Sequence, residues 1–82
     1  MASTRREVVI DPGALEMMQA ARPSDKEREA LIHVLHELAT DVSRAYRILF
    51  LHPPAYRIDV GRFRIHFRFD NKQVQVEFIG VY

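Results

Sequence analysis

The N-terminal part of the chain pairs a short β-branched stretch with a helical pattern. Residues 6–10, REVVI, favour a strand because β-branched side chains fit a pleated sheet. Asp11 followed by Pro12 is typical of a helix N-cap with proline at the first helical position. The apolar residues of this predicted helix are Ala14, Leu15, Met17 and Met18. We expect it to end near ARPS, since Pro23 disfavours helical geometry in the residue before it.

A second helix is predicted to begin directly after Pro23. Ser24 and Glu27 have the spacing of a capping box, in which the serine accepts from an early backbone amide and the glutamate reaches back to the cap. Apolar residues then recur at helical spacing and predict one buried stripe: Leu31, Val34, Leu35, Leu38 and Val42. The acidic residues are predicted to face water: Glu27, Glu29, Glu37 and Asp41.

Apolar and polar residues alternate almost strictly in the C-terminal third, YRIDVGRFRIHFRFDNKQVQVEF. This pattern predicts three strands, each with one apolar and one polar face, because side chains of a strand alternate between its two faces. The predicted inward residues are Tyr56, Ile58, Val60, Phe63, Ile65, Phe67, Phe69, Val74, Val76 and Phe78. The predicted outward residues are Arg57, Asp59, Arg62, Arg64, His66, Arg68, Gln73, Gln75 and Glu77.

Two tight turns set the register that we expect between these strands. A two-residue turn at Asp70 and Asn71, both tolerant of positive φ, would oppose Phe67 to Val74 and Phe63 to Phe78. A turn at Val60 and Gly61 would oppose Ile58 to Phe63. On the polar face this register predicts a row of Arg57, Arg64 and Glu77, with His66 beside Gln75 and Arg68 beside Gln73.

The segment RILFLHPPA, before the alternating strands, is apolar and ends at two prolines. It predicts a short buried or edge segment followed by a rigid connector. We interpret His52 in this segment as part of the local structure.

Length and composition place the chain among small globular domains. Eighty-two residues predict one domain spanning 1–82, with an apolar fraction of 48% and no low-complexity run. The absence of cysteine excludes disulfides, thiolate metal sites and cysteine nucleophiles, and fits a reducing compartment, so we expect a cytoplasmic protein. The sequence MASTRREVVIDPG lacks the apolar core of a signal peptide, and no apolar run approaches the roughly 20 residues of a membrane span.

Charge is segregated along the chain, although the net charge is only +1. Ten of the twelve basic residues are arginine, and five of these lie between Arg47 and Arg68. Five of the eleven acidic residues lie between Asp25 and Asp41. The net charge of the chain therefore gives little reason to expect binding of nucleic acid. The arginine-rich strands give a local reason to expect it.

His33, His36 and Glu37 form the one cluster that suggests metal ligands. Two histidines one turn apart beside a glutamate can hold a metal ion, but the spacing departs from the HExxH pattern of zinc peptidases. We therefore interpret these residues as part of a solvated or partner-facing helix and expect neither a metal nor a cofactor.

Two interpretations of the arginine face follow from the residues alone. In the first, the arginines form ion pairs with Glu77 and Asp59 on an exposed sheet. In the second, they bind phosphate, because guanidinium groups match phosphate oxygens and stay charged. His66 and Glu77 would then supply proton-transfer groups for attack of a ribose 2′-hydroxyl on the adjacent phosphate.

The order of elements resembles the RelE/ParE superfamily of bacterial type II toxins. A strand, two helices, YRIDVGRFRIHFRFD, a short turn and a last strand ending FIGVY cover nearly the whole chain. The most specific part is the YRI…G.(F/Y)RI.(F/Y) signature from Tyr56 to Phe67. The resemblance implies an α+β fold with an N-terminal strand and two helices packed on one face of a twisted antiparallel sheet of about four strands.

The resemblance also implies an activity and roles for individual residues. In the RelE branch the opposite face of the sheet binds mRNA in the ribosomal A site and cuts it between ribose and phosphate without metal. Arg64 matches the arginine that contacts the scissile phosphate in RelE-like and YoeB-like toxins. Arg57 lies where RelE has one lysine of the catalytic face, and Asp59 lies where it has a second, which reverses the charge there.

The C-terminus departs from the family pattern. YoeB-like toxins end in histidine then tyrosine, whereas Val81 precedes Tyr82 here. Tyr82 can stack on a base or hydrogen-bond a phosphate, and His66 is a candidate substitute for the missing acid. The candidate catalytic residues are Arg57, Arg64, His66, Glu77 and Tyr82, and the candidate RNA-binding residues are Arg62 and Arg68.

We expect a ribosome-dependent mRNA interferase, an endoribonuclease whose partners are the ribosome, mRNA and a cognate antitoxin. A ParE-like inhibitor of DNA gyrase, a catalytically silent antitoxin-binding module and an unrelated α+β domain remain alternatives. An acidic or amphipathic segment of the antitoxin would lie across the helices or along a sheet edge. A homodimer and a toxin–antitoxin hetero-oligomer both remain open, and no membrane partner is expected.

Overall fold

Two helices and five strands make up the part of the chain that the structure, a computed structural model, describes, residues 5–82. Residues 1–4, the first part of the stretch MASTRREVVIDPG used to argue against a signal peptide, lie outside the described residues. The elements are β1 (Glu7–Ile10), α1 (Pro12–Ala20), α2 (Asp25–Leu38), β2 (Tyr46–Ile48), β3 (Ala55–Val60), β4 (Phe63–Phe69) and β5 (Gln73–Val81).

The strands form one mixed sheet in the order β1-β5-β4-β3-β2. β1 runs parallel to β5, and the other neighbours are antiparallel. The prediction of an antiparallel sheet of about four strands was therefore wrong in both respects. The connection from β1 to β5 contains both helices and the strands β2, β3 and β4, so it is long enough for a parallel pairing. Tyr46–Ile48 adds the fifth strand at the edge beside β3, and three residues are too few for alternation to reveal it.

Both helix starts confirm the predictions from the sequence. Pro12 begins α1 after Asp11, although the Asp11 side chain accepts a hydrogen bond from Gln75 and does not cap the helix. Ser24 and Glu27 form the complete capping box of α2. α2 ends at Leu38, so Val42 packs against the core from outside the helix.

The core lies between the helices and one face of the sheet, so the α+β fold class is confirmed. The helices contribute Ala14, Leu31, Leu35 and Leu38, and the strands contribute Ile58, Phe63, Ile65, Phe67, Val74, Val76 and Ile79. Each of these side chains is buried. Because burial fixes which face of each strand is inward, the alternate residues of β3, β4 and β5 must line the opposite face.

The predicted register between β4 and β5 was wrong. Phe67 pairs with Val76, and Phe63 pairs with Val81. The Asp70 amide donates to the Gln73 carbonyl at 3.0 Å, so the two turn residues are Asn71 and Lys72, one position later than predicted. The Asp70 carboxylate accepts from the amides of Lys72 and Gln73 and holds this turn.

A β-bulge follows in β5, where the partner of His66 is Phe78 and Glu77 is the extra residue. Phe78 therefore points outward, against the prediction, and Ile79 takes the inward position.

The predicted register between β3 and β4 was also wrong. The turn residues are Gly61 and Arg62, so Ile58 pairs with Ile65 and not with Phe63. Gly61 has φ +58°, a conformation that glycine adopts without strain and β-branched Val60 does not. The row of Arg57, Arg64 and Glu77 therefore does not form.

None of the helices within residues 5–82 is long and apolar enough to cross a membrane.

Candidate functional site

The outward face of β3, β4 and β5 carries most of the candidate residues. Two rows cross the strands: Arg57 opposes His66, which opposes Phe78, and Asp59 opposes Arg64, which opposes Gly80. Tyr46 of β2 extends the first row, because its partner is Arg57. We call these residues, with Arg68, Glu77 and Tyr82, the arginine face.

Asp59 is the shared acceptor of two arginines. Nε of Arg64 donates to its Oδ1 at 2.9 Å, and a terminal nitrogen of Arg57 donates to its Oδ2 at 3.5 Å. The hydrogen bond from Arg64 is the main cause that lowers the pKa of Asp59, and the charges of both arginines add to it. The same bond raises the pKa of Arg64. Asp59 is therefore a carboxylate at neutral pH, and it neutralises part of the charge that a phosphate would meet.

Tyr82 lies against Arg64. The guanidinium carbon is 4.1 Å from the centre of the tyrosine ring, within the range of a cation–π contact. The tyrosine also contributes to the lowered pKa of Asp59 through its side chain. The last residue of the sequence is thus part of the same cluster as Arg64 and Asp59.

His66 stacks on Phe78 with ring centroids 4.7 Å apart. Partial burial lowers the pKa of His66, and the charges of Arg64 and Arg57 lower it further. An imidazole with a pKa below its usual range is neutral at pH 7, so His66 can accept a proton there.

Glu77 serves a different arginine from the one predicted. Glu77 accepts a hydrogen bond from a terminal nitrogen of Arg68, whose Nε is buried without a hydrogen-bond partner among the described residues. The bulge turns Glu77 toward Arg68, in the neighbouring row, and away from Arg57 and Arg64. Glu77 is therefore a structural counter-ion of Arg68 in this geometry.

Arg62 lies apart from the arginine face. Its Nε donates to Glu27 at 2.6 Å, and a terminal nitrogen donates to the Ala21 carbonyl at 3.1 Å. The hydrogen bond from Arg62 is the main cause that lowers the pKa of Glu27 to about 2, and a bond from the Ser24 amide adds to it. Arg62 therefore ties the β3–β4 turn to the junction of the two helices. The structure does not bring it together with Arg68, the other predicted RNA-binding residue.

The arginine face thus combines both interpretations of the sequence. Three guanidinium groups, of Arg57, Arg64 and Arg68, meet two carboxylates, of Asp59 and Glu77. The ion pairs are at the surface, where water competes with them and each contributes little to stability. One positive charge is left over beside a neutral imidazole and three aromatic rings, an environment that suits a phosphate and a base.

The side chains of His33 and Arg44 share the carboxylate of Glu37. His33 lies 2.9 Å from Glu37, and Arg44 pairs with the same carboxylate at 3.2 Å. No group of three or more histidine, aspartate or glutamate side chains suited to a metal ion occurs in residues 5–82.

The prediction missed Tyr46 and Phe78 as members of the arginine face. Phe78 was missed because the apolar and polar residues of β5 alternate without a break through the bulge, so the sequence does not reveal it. Tyr46 was hidden because β2 is short, although YRI occurs at 46–48 as it does at 56–58.

A groove of about 390 Å³ runs between β1 and α2, at the other edge of the sheet from β2. Ile32, Leu35 and Val8 supply apolar walls, and Arg5 and Arg6 line its rim. Ile32 is half exposed there, unlike the buried Leu35.

Comparison with known proteins adds no relative. The chain matches no protein-family model, and a search of curated proteins gave no match.

Proposed function

We propose that the protein is the toxin of a type II toxin–antitoxin pair and that it cleaves mRNA on the ribosome through its arginine face. The observation that carries this proposal is the cluster of Arg64, Arg57 and His66 on an exposed sheet face bordered by aromatic rings. The sequence signature from Tyr56 to Phe67 supports it, since the resemblance to RelE-like toxins rests on the same strands.

The geometry supports a metal-independent transesterification. Neutral His66 accepts the proton of the ribose 2′-hydroxyl, and the 2′-oxygen bonds to the adjacent phosphorus. Arg64 and Arg57 stabilise the charge that develops on the phosphate oxygens. The bond from phosphorus to the 5′-oxygen breaks, and this oxygen takes a proton from solvent at the open face. The products are a 2′,3′-cyclic phosphate and a 5′-hydroxyl.

One observation favours a second candidate, a catalytically silent module that binds an antitoxin. Asp59 accepts hydrogen bonds from Arg64 and Arg57, so both arginines already have an anionic partner. A phosphate must displace this carboxylate from the two arginines, or share the arginines with it. Either requirement weakens substrate binding.

The groove between β1 and α2 supports an antitoxin partner under either candidate. β1 ends the strand order, so its outer edge is available for pairing in the described part of the chain. Arg5 and Arg6 at the rim favour an acidic segment, and Ile32 favours an apolar residue within it.

The test is primer extension on a reporter mRNA during reconstituted translation. We compare the wild-type protein with Arg64→Ala and with Arg28→Ala, a control arginine on α2 that pairs with Asp25. Ribosome-dependent cleavage that is lost in Arg64→Ala and kept in Arg28→Ala would support the interferase. Absence of cleavage by folded wild-type protein would reject it in favour of the silent module.

A further inference from the structure

A cleft opens at the end of β2, where the chain at 43–45 separates from β3. Its volume is about 390 Å³. It is lined by Ser43, Arg44, Ala45, Tyr46, Ile58 and Asp59. The lining thus includes a serine, an arginine and an aspartate together with apolar and aromatic residues, a combination that suits a flat heteroaromatic ring with polar edges.

Tyr46 stands at the rim of this cleft with 66% of its surface exposed. The guanidinium of Arg57 lies 5.3 Å from the centre of its ring. The core does not hold this side chain, so packing gives no reason for a large aromatic residue here. An exposed ring beside a cation is a platform on which a nucleic-acid base can stack.

The cleft is continuous with the arginine face. Tyr46 opposes Arg57, and Asp59, which lines the cleft, binds Arg64 at 2.9 Å. A phosphate held by Arg57 and Arg64 would therefore have its neighbouring nucleotide within reach of the cleft. Arg44, whose guanidinium is largely exposed and pairs with Glu37 at 3.2 Å, offers a further cation at the opening.

We propose that this cleft binds one base of single-stranded RNA, stacked on Tyr46 next to the phosphate at Arg57 and Arg64. This inference rests on the proposed function and extends it to a base subsite. The carboxylate of Asp59 only accepts hydrogen bonds, so it can pair with the exocyclic amino group of cytosine, adenine or guanine. Uracil has no such amino group, and the subsite disfavours it.

The experiment is fluorescence anisotropy with labelled hexaribonucleotides of cytidine and of uridine. The variants are Tyr46→Ala, Tyr46→Phe and Arg64→Ala. Phe50→Ala is the matched control, because Phe50 is 93% exposed and lies outside the cleft. We expect Tyr46→Ala to weaken binding of the cytidine oligomer by about 5- to 100-fold, the usual effect of losing one stacked base. Tyr46→Phe and Phe50→Ala should stay within about twofold of wild type, since neither removes a stacking ring from the cleft.

The outcomes separate the base subsite from the proposed function. If Arg64→Ala weakens binding while Tyr46→Ala does not, or if uridine binds as well as cytidine, the subsite is rejected and the phosphate site stands. If the wild-type protein binds neither oligomer, the subsite is rejected, and the cleavage assay on the ribosome alone decides the proposed function.

A second measurement covers the case in which Tyr46→Ala does not fold. Amide resonances of residues 43–46 in the wild-type protein should shift on addition of the cytidine oligomer. Saturated binding without such shifts overturns the subsite.

Discussion

Arg64 lies over the ring of Tyr82, with 4.1 Å between the guanidinium carbon and the ring centre. Its Nε donates to Asp59 from the same position. The side chain is therefore held on two sides before any substrate binds. Such an arginine loses little conformational freedom when it meets a phosphate, which favours its use in positioning.

Asp59→Asn should strengthen RNA binding, because the change removes the carboxylate that neutralises Arg64 and Arg57. We expect about fivefold tighter binding of a uridine oligomer at low salt, the effect of roughly one unit charge near the surface. The slope of log affinity against log salt concentration should become steeper by about one unit, the release of about one more counter-ion. Anisotropy titrations at several salt concentrations measure both, with Asp25→Asn on α2 as the control. Unchanged affinity would show that Asp59 does not compete with phosphate.

The lowered pKa of His66 predicts where the rate of cleavage declines on the acid side of the pH–rate profile. Its pKa is lowered, so the neutral base should persist below the usual pKa of 6.5, and cleavage should decline only at lower pH. The unfolded chain takes up this proton at higher pH than the folded chain does. Stability should therefore fall as pH drops from about 6.5 through the folded pKa of His66. NMR titration of the imidazole measures this pKa, and a value above 6.5 would contradict the prediction.

Gly80→Ala should displace Phe78 from His66. An added Cβ would lie 2.7 Å from the tip of the Phe78 ring and 3.1 Å from Sδ of Met17, so the ring must move. We expect a loss of about 1–3 kcal/mol in the free energy of unfolding and a rise of the His66 pKa toward its usual value. Gly13→Ala is the matched control, because no heavy atom lies within 4 Å of its added Cβ. Equal thermal stability of the two variants would contradict the prediction.

The Arg62–Glu27 pair should stabilise the fold at neutral pH and make its stability depend on pH in the acid range. The pKa of Glu27 is about 2 in the fold, below its usual 4.5. A depressed carboxyl pKa stabilises the fold above the unfolded value, and this contribution is lost as pH falls from about 4.5 through about 2. Arg62→Ala should lower the melting temperature at pH 7 and reduce this acid dependence, while the Ser24 amide still donates to Glu27. Melting curves from pH 2 to 7 test it, with Arg22→Ala as a control.

The helices and the core could be predicted from the sequence because their signals are local. The Ser24–Glu27 capping box and the alternation around Phe63, Ile65 and Phe67 each need only neighbouring residues to be read. The arginine face could be predicted as a set of outward residues in the same way.

Register could not be predicted, because it depends on the conformation of turns and on a bulge. The hydrogen bonds of Asp70 place one turn at Asn71 and Lys72, and the positive φ of Gly61 places the other at Gly61 and Arg62, each one residue later than predicted. Each shift changes which residues oppose each other across strands, so Arg64 gains Asp59 as its neighbour instead of Arg57. The pairing of Glu77 with Arg68 follows from the bulge in the same way.

Glu77 lies in β5 between Val76 and Phe78, and unlike these two neighbours it has no partner in the register with β4. A chain shortened by this residue would keep each neighbouring pair and lose only the carboxylate that faces Arg68. The bulge thus makes this point of the strand tolerant to insertion and deletion. A one-residue deletion here would thus change the charge of the sheet surface and leave the buried residues on the other side in place.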